Sequence, residues 1–240
     1  MLKVFAVTVM VCSGLTSAWE QTPETGGCLA KAEFAPTVIE NPGSKMTFRC
    51  ERAAPLDVIR ATGRQTRVPI GVVLGLDPNA LSLPTRSYDL ENADAKSALL
   101  EAIQGTGYSL RERGNVLELV AGDLSPRQND LLTYRYSDFT TSANSTMVDL
   151  GMSLTMWMRA VVDPHTGFGM DILGSTNDER FTLEPIRSAT TEEIANKIVG
   201  LGSKGMWILR MSGLSPRSGS TDQVMIEPYQ HYSNRAIVNQ

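Results

Sequence analysis

The sequence predicts an α+β fold made of two small modules, each with two helices packed on small β-sheets. Short stretches of alternating apolar and polar residues interleave with helical stretches over about 75 residues, and the order of landmarks in that stretch returns later in the chain. The composition is compatible with this, since 42% hydrophobic residues can fill a core and 20% charged residues are too few for a disordered chain.

The N-terminus reads as an export address. Lys3 gives a positive start, Val4 to Val11 is an apolar run, and Thr16-Ser17-Ala18 supplies small residues for cleavage after Ala18. Residues 1–18 are therefore expected to be a signal peptide, with a buried N-terminal strand as the rival reading. The run is shorter than the roughly 20 residues that span a bilayer, and the bulky Val11 before Cys12 argues against lipidation. Residues 19–44 form a polar leader rich in Gly, Pro and Thr. Once Cys12 leaves with the signal, Cys28 and Cys50 remain, an even number suited to a disulfide in an oxidising compartment. Two free thiols or a metal site are the alternatives. Neither a CxxC pair nor a His pair accompanies the cysteines, and His165 and His231 stand alone in the sequence, so no metal is expected.

The first module spans 45–122. Met46, Phe48 and Cys50 alternate with polar neighbours as in a strand. Pro55 opens a helix where its missing N–H is harmless, with Leu56, Ile59 and Ala61 on its apolar side and Gly63 weakening its end. Pro69 to Leu74 reads as a buried strand, and Arg86 to Leu90 as a short one. Asn92 or Asp94 caps a second helix carrying Leu99, Leu100 and Ile103, which stops at Gly105 and Gly107. Tyr108–Arg111 and Val116–Val120 form a hairpin around Gly114-Asn115.

The second module, 123–213, is read from recurring landmarks. Thr47-Phe48-Arg49 returns as Thr133-Tyr134-Arg135, and Pro69 as Pro164. Leu99, Ile103, Gly105 and Gly107 return as Ile194, Ile198, Gly200 and Gly202. Leu124-Ser125-Pro126-Arg127 returns as Leu214-Ser215-Pro216-Arg217. Helices are expected over Leu150–Val162 and from Thr190, with an insertion in Ser137–Thr146. Residues 214–240 are read as a C-terminal strand, Gln223–Tyr229, and a tail.

Pro55-Leu56-Asp57-Val58-Ile59-Arg60, Arg64 to Ile70, Tyr88 to Ala93, Ala98 to Ile103 and Gly105-Thr106-Gly107-Tyr108-Ser109-Leu110 together carry a resemblance. In them a helix closes on a segment like "QTG", where Arg67 takes the place of the glycine, and a second helix closes on "GTG" and an aromatic strand. Over about a third of the chain, this resembles the short N-terminal (STN) module of secretins and TonB-dependent receptors. The resemblance implies two helices on small sheets that work through protein contacts, and it carries no catalytic residue to transfer. The chain after Gly122 is read as the second module and not as a membrane barrel, so channel or receptor function does not carry over.

Groups that could carry chemistry each have a simpler structural role. Asp163-Pro164-His165 reads as a turn, because adjacent side chains rarely face each other. Gly71, Gly75, Gly105 and Gly107 lack the Lys-Ser/Thr of a phosphate loop. Ser215 lacks the closing glycine of a nucleophile elbow. Glu192 and Glu193 sit in the first turn of a helix, where they act as N-terminal capping charges. Met152, Met156 and Met158 around Trp157 are either core or an adaptable binding surface. Asn144-Ser145-Thr146 is a glycosylation sequon and is discounted in a bacterial chain. No catalytic residue, metal ligand or cofactor is expected. The net charge of −4 with no dense Lys/Arg stretch removes nucleic acid from the expected partners, and no later segment has transmembrane length.

The expected function is that of a non-catalytic exported envelope protein, periplasmic or secreted. It would be an adaptor or scaffold for other envelope proteins, linked to secretion or outer-membrane transport. The expected docking edges are Val116–Val120 and Met206–Met211, with Gln223–Tyr229 either a third edge or an internal strand, and Glu118 and Arg210 are expected to be exposed there. The alternative is a periplasmic small-molecule or metal binder using the groove between the modules.

Overall fold

A computed structural model describes residues 45–77, 79–162, 179–201, 205–211 and 223–228. The expected signal peptide, polar leader, Cys28, His165, His231, Pro164 and Ser215 lie outside the described residues.

The chain begins with β1 (Met46–Ala53), α1 (Pro55–Thr66), β2 (Ile70–Val73) and β3 (Arg86–Ala93). It continues with α2 (Ala95–Ile103) and a hairpin of β4 (Tyr108–Arg113) and β5 (Val116–Ala121). Next come α3 (Pro126–Thr133), β6 (Arg135–Phe139), β7 (Ser145–Thr146), α4 (Met147–Val162), β8 (Arg180–Phe181), β9 (Ile186–Thr190), α5 (Thr191–Val199), β10 (Gly205–Arg210) and β11 (Gln223–Pro228). The class is α+β, and no barrel closes among the described residues.

Local chemistry sets most boundaries. Pro55 opens α1, and Arg67 closes it in the left-handed region at φ 56. Asp94 caps α2 by accepting the Ser97 N–H at 2.8 Å, and its bonds to Ser97 hold its carboxyl below the usual range. Gly114 takes a φ of 62 at the first central position of the β4–β5 turn, as a two-residue hairpin of the II′ type requires. Helix α3 was not expected. Its Ser125 hydroxyl accepts the Gln128 N–H while the Gln128 side chain accepts the Ser125 N–H, with Pro126 at the first helical position. That is a capping box, and it was legible in Ser-Pro-x-Gln. Thr190 and Glu193 form a second box at α5.

Five strands make the central sheet, in the order β11-β10-β2-β5-β4. Strand β2 lies parallel to both β5 and β10, and the β4–β5 and β10–β11 pairs are antiparallel. The expectation of modules with separate sheets therefore meets a shared one: β10, from the second unit, aligns Met206 with Ile70 of the first. The reason lies in β2, whose four residues are all buried. A short strand apolar on both faces needs strands on both sides and cover above and below.

Alternation along the shared strands divides two cores. Ile70, Val72, Leu119, Met206 and Ile208 face a cluster with β1, α1, β3 and α2. Val73, Val116, Val120, Trp207 and Leu209 face a cluster with α3, β6, α4, β9 and α5. On the first side β1 and β3 form an antiparallel ribbon, and on the second β6 and β9 form another. The first half runs β-α-β-β-α-β-β and the second, after α3, β-β-α-β-β-α-β-β, with α1 and α2 on one face of the shared sheet and α4 and α5 on the other. Among the described residues no helix is long and apolar enough to cross a membrane.

Candidate functional site

The two edges of the central sheet differ. At β11, helix α4 covers the edge. Thr155 on α4 accepts the Val224 N–H at 2.8 Å, and its one hydroxyl hydrogen is shared between the Gly151 carbonyl at 3.0 Å and the Val224 carbonyl at 3.1 Å, so one side chain meets both outward groups of Val224. Close approach is possible because α4 carries Gly151, where an added Cβ would lie 2.3 Å from Ile226 Cγ1. Two residues of strand period separate Val224 from Ile226 and Ile226 from Pro228, and Pro228 has no N–H to offer. An incoming strand would find this edge closed.

At β4 the edge is open among the described residues. Strand β4 has six residues, and the ladder to β5 matches Ser109 with Val120 and Arg111 with Glu118. The Gly122 N–H donates to the Gly107 carbonyl at 3.0 Å, continuing the same register. Antiparallel ladders alternate between residues that exchange hydrogen bonds and residues that do not. Gly107, Ser109, Arg111 and Arg113 therefore point their backbone groups inward, and Tyr108, Leu110 and Glu112 point theirs outward. The two-stranded ribbons also have edges, but β1–β3 is irregular between Met46 and Phe48 and between Cys50 and Ala53, which blunts it.

Side chains on β4 are held from both faces. On one face Glu112 accepts from Lys96 of α2 at 2.7 Å. On the other, the Arg111 Nε–H donates to Glu118 at 2.6 Å, and the same guanidinium reaches Glu192 at the start of α5. Arg113 adds longer contacts, 3.3 Å to Glu118 and 3.8 Å to Glu192. Glu118 also accepts from Asn196 Nδ2 at 2.7 Å, and Asn196 Oδ1 accepts the Trp207 Nε1–H at 2.7 Å. The network ties the hairpin of the first unit to α5 and β10 of the second. The Glu118 and Glu192 side chains are 0% and 4% exposed. Burial pushes the Glu192 carboxyl up to about 7, an effect that the Arg111 charge offsets only in part. Trp207 fits beneath it because Gly71 has no side chain: an added Cβ would lie 2.3 Å from the indole Cζ2.

Several expectations are corrected here. Val116–Val120 and Met206–Met211 are not edges: β5 is flanked by β4 and β2, and β10 by β11 and β2. Glu118 is fully buried and does not face solvent. Gln223–Pro228 pairs with β10 as the outermost strand of the sheet, so the segment completes a sheet within the chain while its free side is the edge that Thr155 covers. Glu193 does cap α5, but Glu192 is turned inward to Arg111. The stripe of α4 splits, with Met158 buried in the core, Met152 half-buried and Met156 exposed at 46%. Trp157 packs edge-on against Tyr136 and Phe139. Cys50 is buried on β1, and its expected partner Cys28 lies outside the described residues. Among the described residues no cluster of His, Cys, Asp and Glu could hold a metal ion.

A groove of about 530 Å³ lies between the units, lined by Asn115 of the hairpin turn, by 182–186, and by Asn196, Lys197, Gly200 and Leu201. No Met or Trp of α4 lines it.

No family model, curated protein or solved structure matches the chain.

Proposed function

We propose that this protein is a non-catalytic exported envelope protein that holds other proteins by strand addition at β4. The observation that carries the reading is the asymmetry of the sheet: Thr155 closes the β11 edge, whereas Tyr108, Leu110 and Glu112 turn their backbone groups outward with no strand beside them among the described residues. An added strand recovers backbone hydrogen bonds along such an edge, and alternate side chains give specificity. The clamp of Arg111 and Arg113 onto Glu118 and Glu192 keeps the edge rigid, which lowers the ordering cost of docking. The export signal in 1–18 and the resemblance to contact-making STN modules support an envelope setting, and a Cys28–Cys50 disulfide belongs to the same proposal.

The test is capture from envelope extracts with three baits: wild type, Glu112→Pro and Glu112→Ala. Proline removes an outward N–H and leaves the inner ladder to β5 in place, whereas alanine removes only the exposed contact with Lys96. Partners are expected on wild type and Glu112→Ala and not on Glu112→Pro. An unchanged set of partners on Glu112→Pro would remove β4 as the docking edge.

The groove supports a second reading, a small-molecule site between the units. Asn115, Thr182, Glu184, Asn196 and Lys197 are its polar lining, and Leu183, Pro185, Ile186 and Leu201 its apolar one. A ligand screen by thermal shift, repeated on Lys197→Ala, separates the readings: a hit lost in that variant, with edge-dependent capture absent, favours the groove.

A further inference from the structure

We infer that the β4 edge accepts a second copy of this chain, in an antiparallel two-fold pairing centred on Leu110. This rests on the reading of β4 as a docking edge and goes beyond it by naming an occupant and a register.

The first argument is the register itself. A two-fold axis at Leu110 sets Leu110 against its own copy, Tyr108 against Glu112 and Ser109 against Arg111. The outward N–H and C=O groups of Tyr108, Leu110 and Glu112 then all find partners on the other chain, since each outward residue meets an outward residue. No like charges lie opposite each other. Sliding the pairing by one step of the ladder in one direction would set Arg111 against Arg111, and by two steps Glu112 against Glu112, each of which is unfavourable. Charge thus disfavours sliding toward the hairpin turn, whereas sliding the other way, with Ser109 against Ser109, carries Glu112 past the end of the partner's β4, so the Leu110 register is the one that pairs all three outward residues. An isologous pairing of this kind closes on itself without leading to a fibre.

The second argument is apolar surface beside the same edge. Lys96 of α2 reaches Glu112 on β4, so the side of α2 that carries Lys96 lies along this strand. Leu100 is one helical turn further on that side, and it is 49% exposed. The two-fold axis turns Leu100 of each copy toward the edge of the other, which gives the leucine cover that the described residues do not.

One strand edge and a pair of leucines make a contact below the roughly 1,600 Å² of a standard interface, so a dissociation constant on the order of micromolar is expected. A dimer of this strength exchanges with an incoming partner strand at the same edge.

Sedimentation velocity across a concentration series, from about a hundredfold below to a hundredfold above micromolar, tests the pairing on the full mature chain. Wild type and Glu112→Ala are expected to move from monomer to dimer, and Glu112→Pro to stay monomeric. Ser109→Arg, an exposed change that places like charges opposite each other twice, should weaken association several-fold, and Leu100→Ser should weaken it too. Because Ser109 and Leu100 are exposed, these two variants report even if the proline variant folds poorly. A wild type that stays monomeric overturns self-pairing, as does a dimer that Ser109→Arg and Leu100→Ser leave unchanged. A monomeric wild type that still loses captured partners on Glu112→Pro overturns self-pairing alone and leaves the docking edge standing.

Discussion

Replacing Glu192 by Gln should flatten a pH dependence that the buried carboxyl imposes on stability. In the folded chain Glu192 titrates at about 7, against 4.5 for the unperturbed group, because burial disfavours the charged form. The folded state therefore keeps a proton that the unfolded chain releases between those values. Stability from this group is complete below 4.5 and is lost as the pH rises through 7. Each pKa unit corresponds to about 1.36 kcal/mol, so the loss is on the order of 3 kcal/mol. The side chain is 4% exposed, so solvent screening does not shrink the effect much. Asp94, Asp149 and Glu193 are shifted downward and act in the opposite sense, at lower pH. For that reason the useful quantity is the difference between wild type and Glu192→Gln, measured by urea unfolding at several pH values from about 4 to 8. The difference should move in favour of wild type as the pH falls from 7 to 4.5. A flat difference curve, or one of opposite slope, would mean that Arg111 compensates the burial fully, and the reasoning would fail.

Three further outcomes are expected. Gly71→Ala should force the Trp207 indole to move and strain its bond to Asn196, costing ~1–3 kcal/mol and shifting tryptophan fluorescence; an unchanged spectrum and midpoint would contradict it. Thr155→Val keeps shape but strands the outward groups of Val224, so the urea midpoint should fall by the equivalent of ~1–3 kcal/mol, with Thr155→Ser recovering most of it. Peptide mapping without reductant should find Cys28 joined to Cys50 in mature protein, a bridge worth on the order of 3 kcal/mol in the chain-entropy model; two alkylated cysteines would reject it.

Much of the fold was legible because local chemistry fixes it. Pro55, Asp94 and the turn at Gly114-Asn115 each announce an element, and each stands where the sequence puts it. The joining of two units into one sheet was not legible, since parallel pairing of β2 with β10 depends on burial at both faces and leaves no local signature. That is also why the edges were misplaced: Val116–Val120 and Met206–Met211 alternate like half-exposed strands only if nothing covers their second face. Part of the charge network could have been found. With the hairpin turn at Gly114-Asn115, register alone sets Arg111 opposite Glu118, and Glu118 shares its face with Val116 and Val120. Glu192 stands three and seven residues before Ala195 and Val199, on the buried side of α5. Its position in the first turn suggested capping, and that local explanation hid the periodic one. Thr155 could not have been found, because a threonine inside a helix bonds to its own preceding turn in many contexts and only the approach of β11 gives it a second partner.

The partnership of β2 with β10 also bears on how the chain reaches this structure. Ile70 meets Met206 across more than half of the sequence, so the middle of the sheet is assembled from contacts between distant parts of the chain. Closing so long a loop costs entropy before any strand pairing can repay it, and folds dominated by such contacts form slowly. The first unit can gather α1, α2 and the β4–β5 hairpin early, but β2 keeps an unpaired side until β10 has been synthesised. The chain is thus held short of its final sheet until nearly all of it exists.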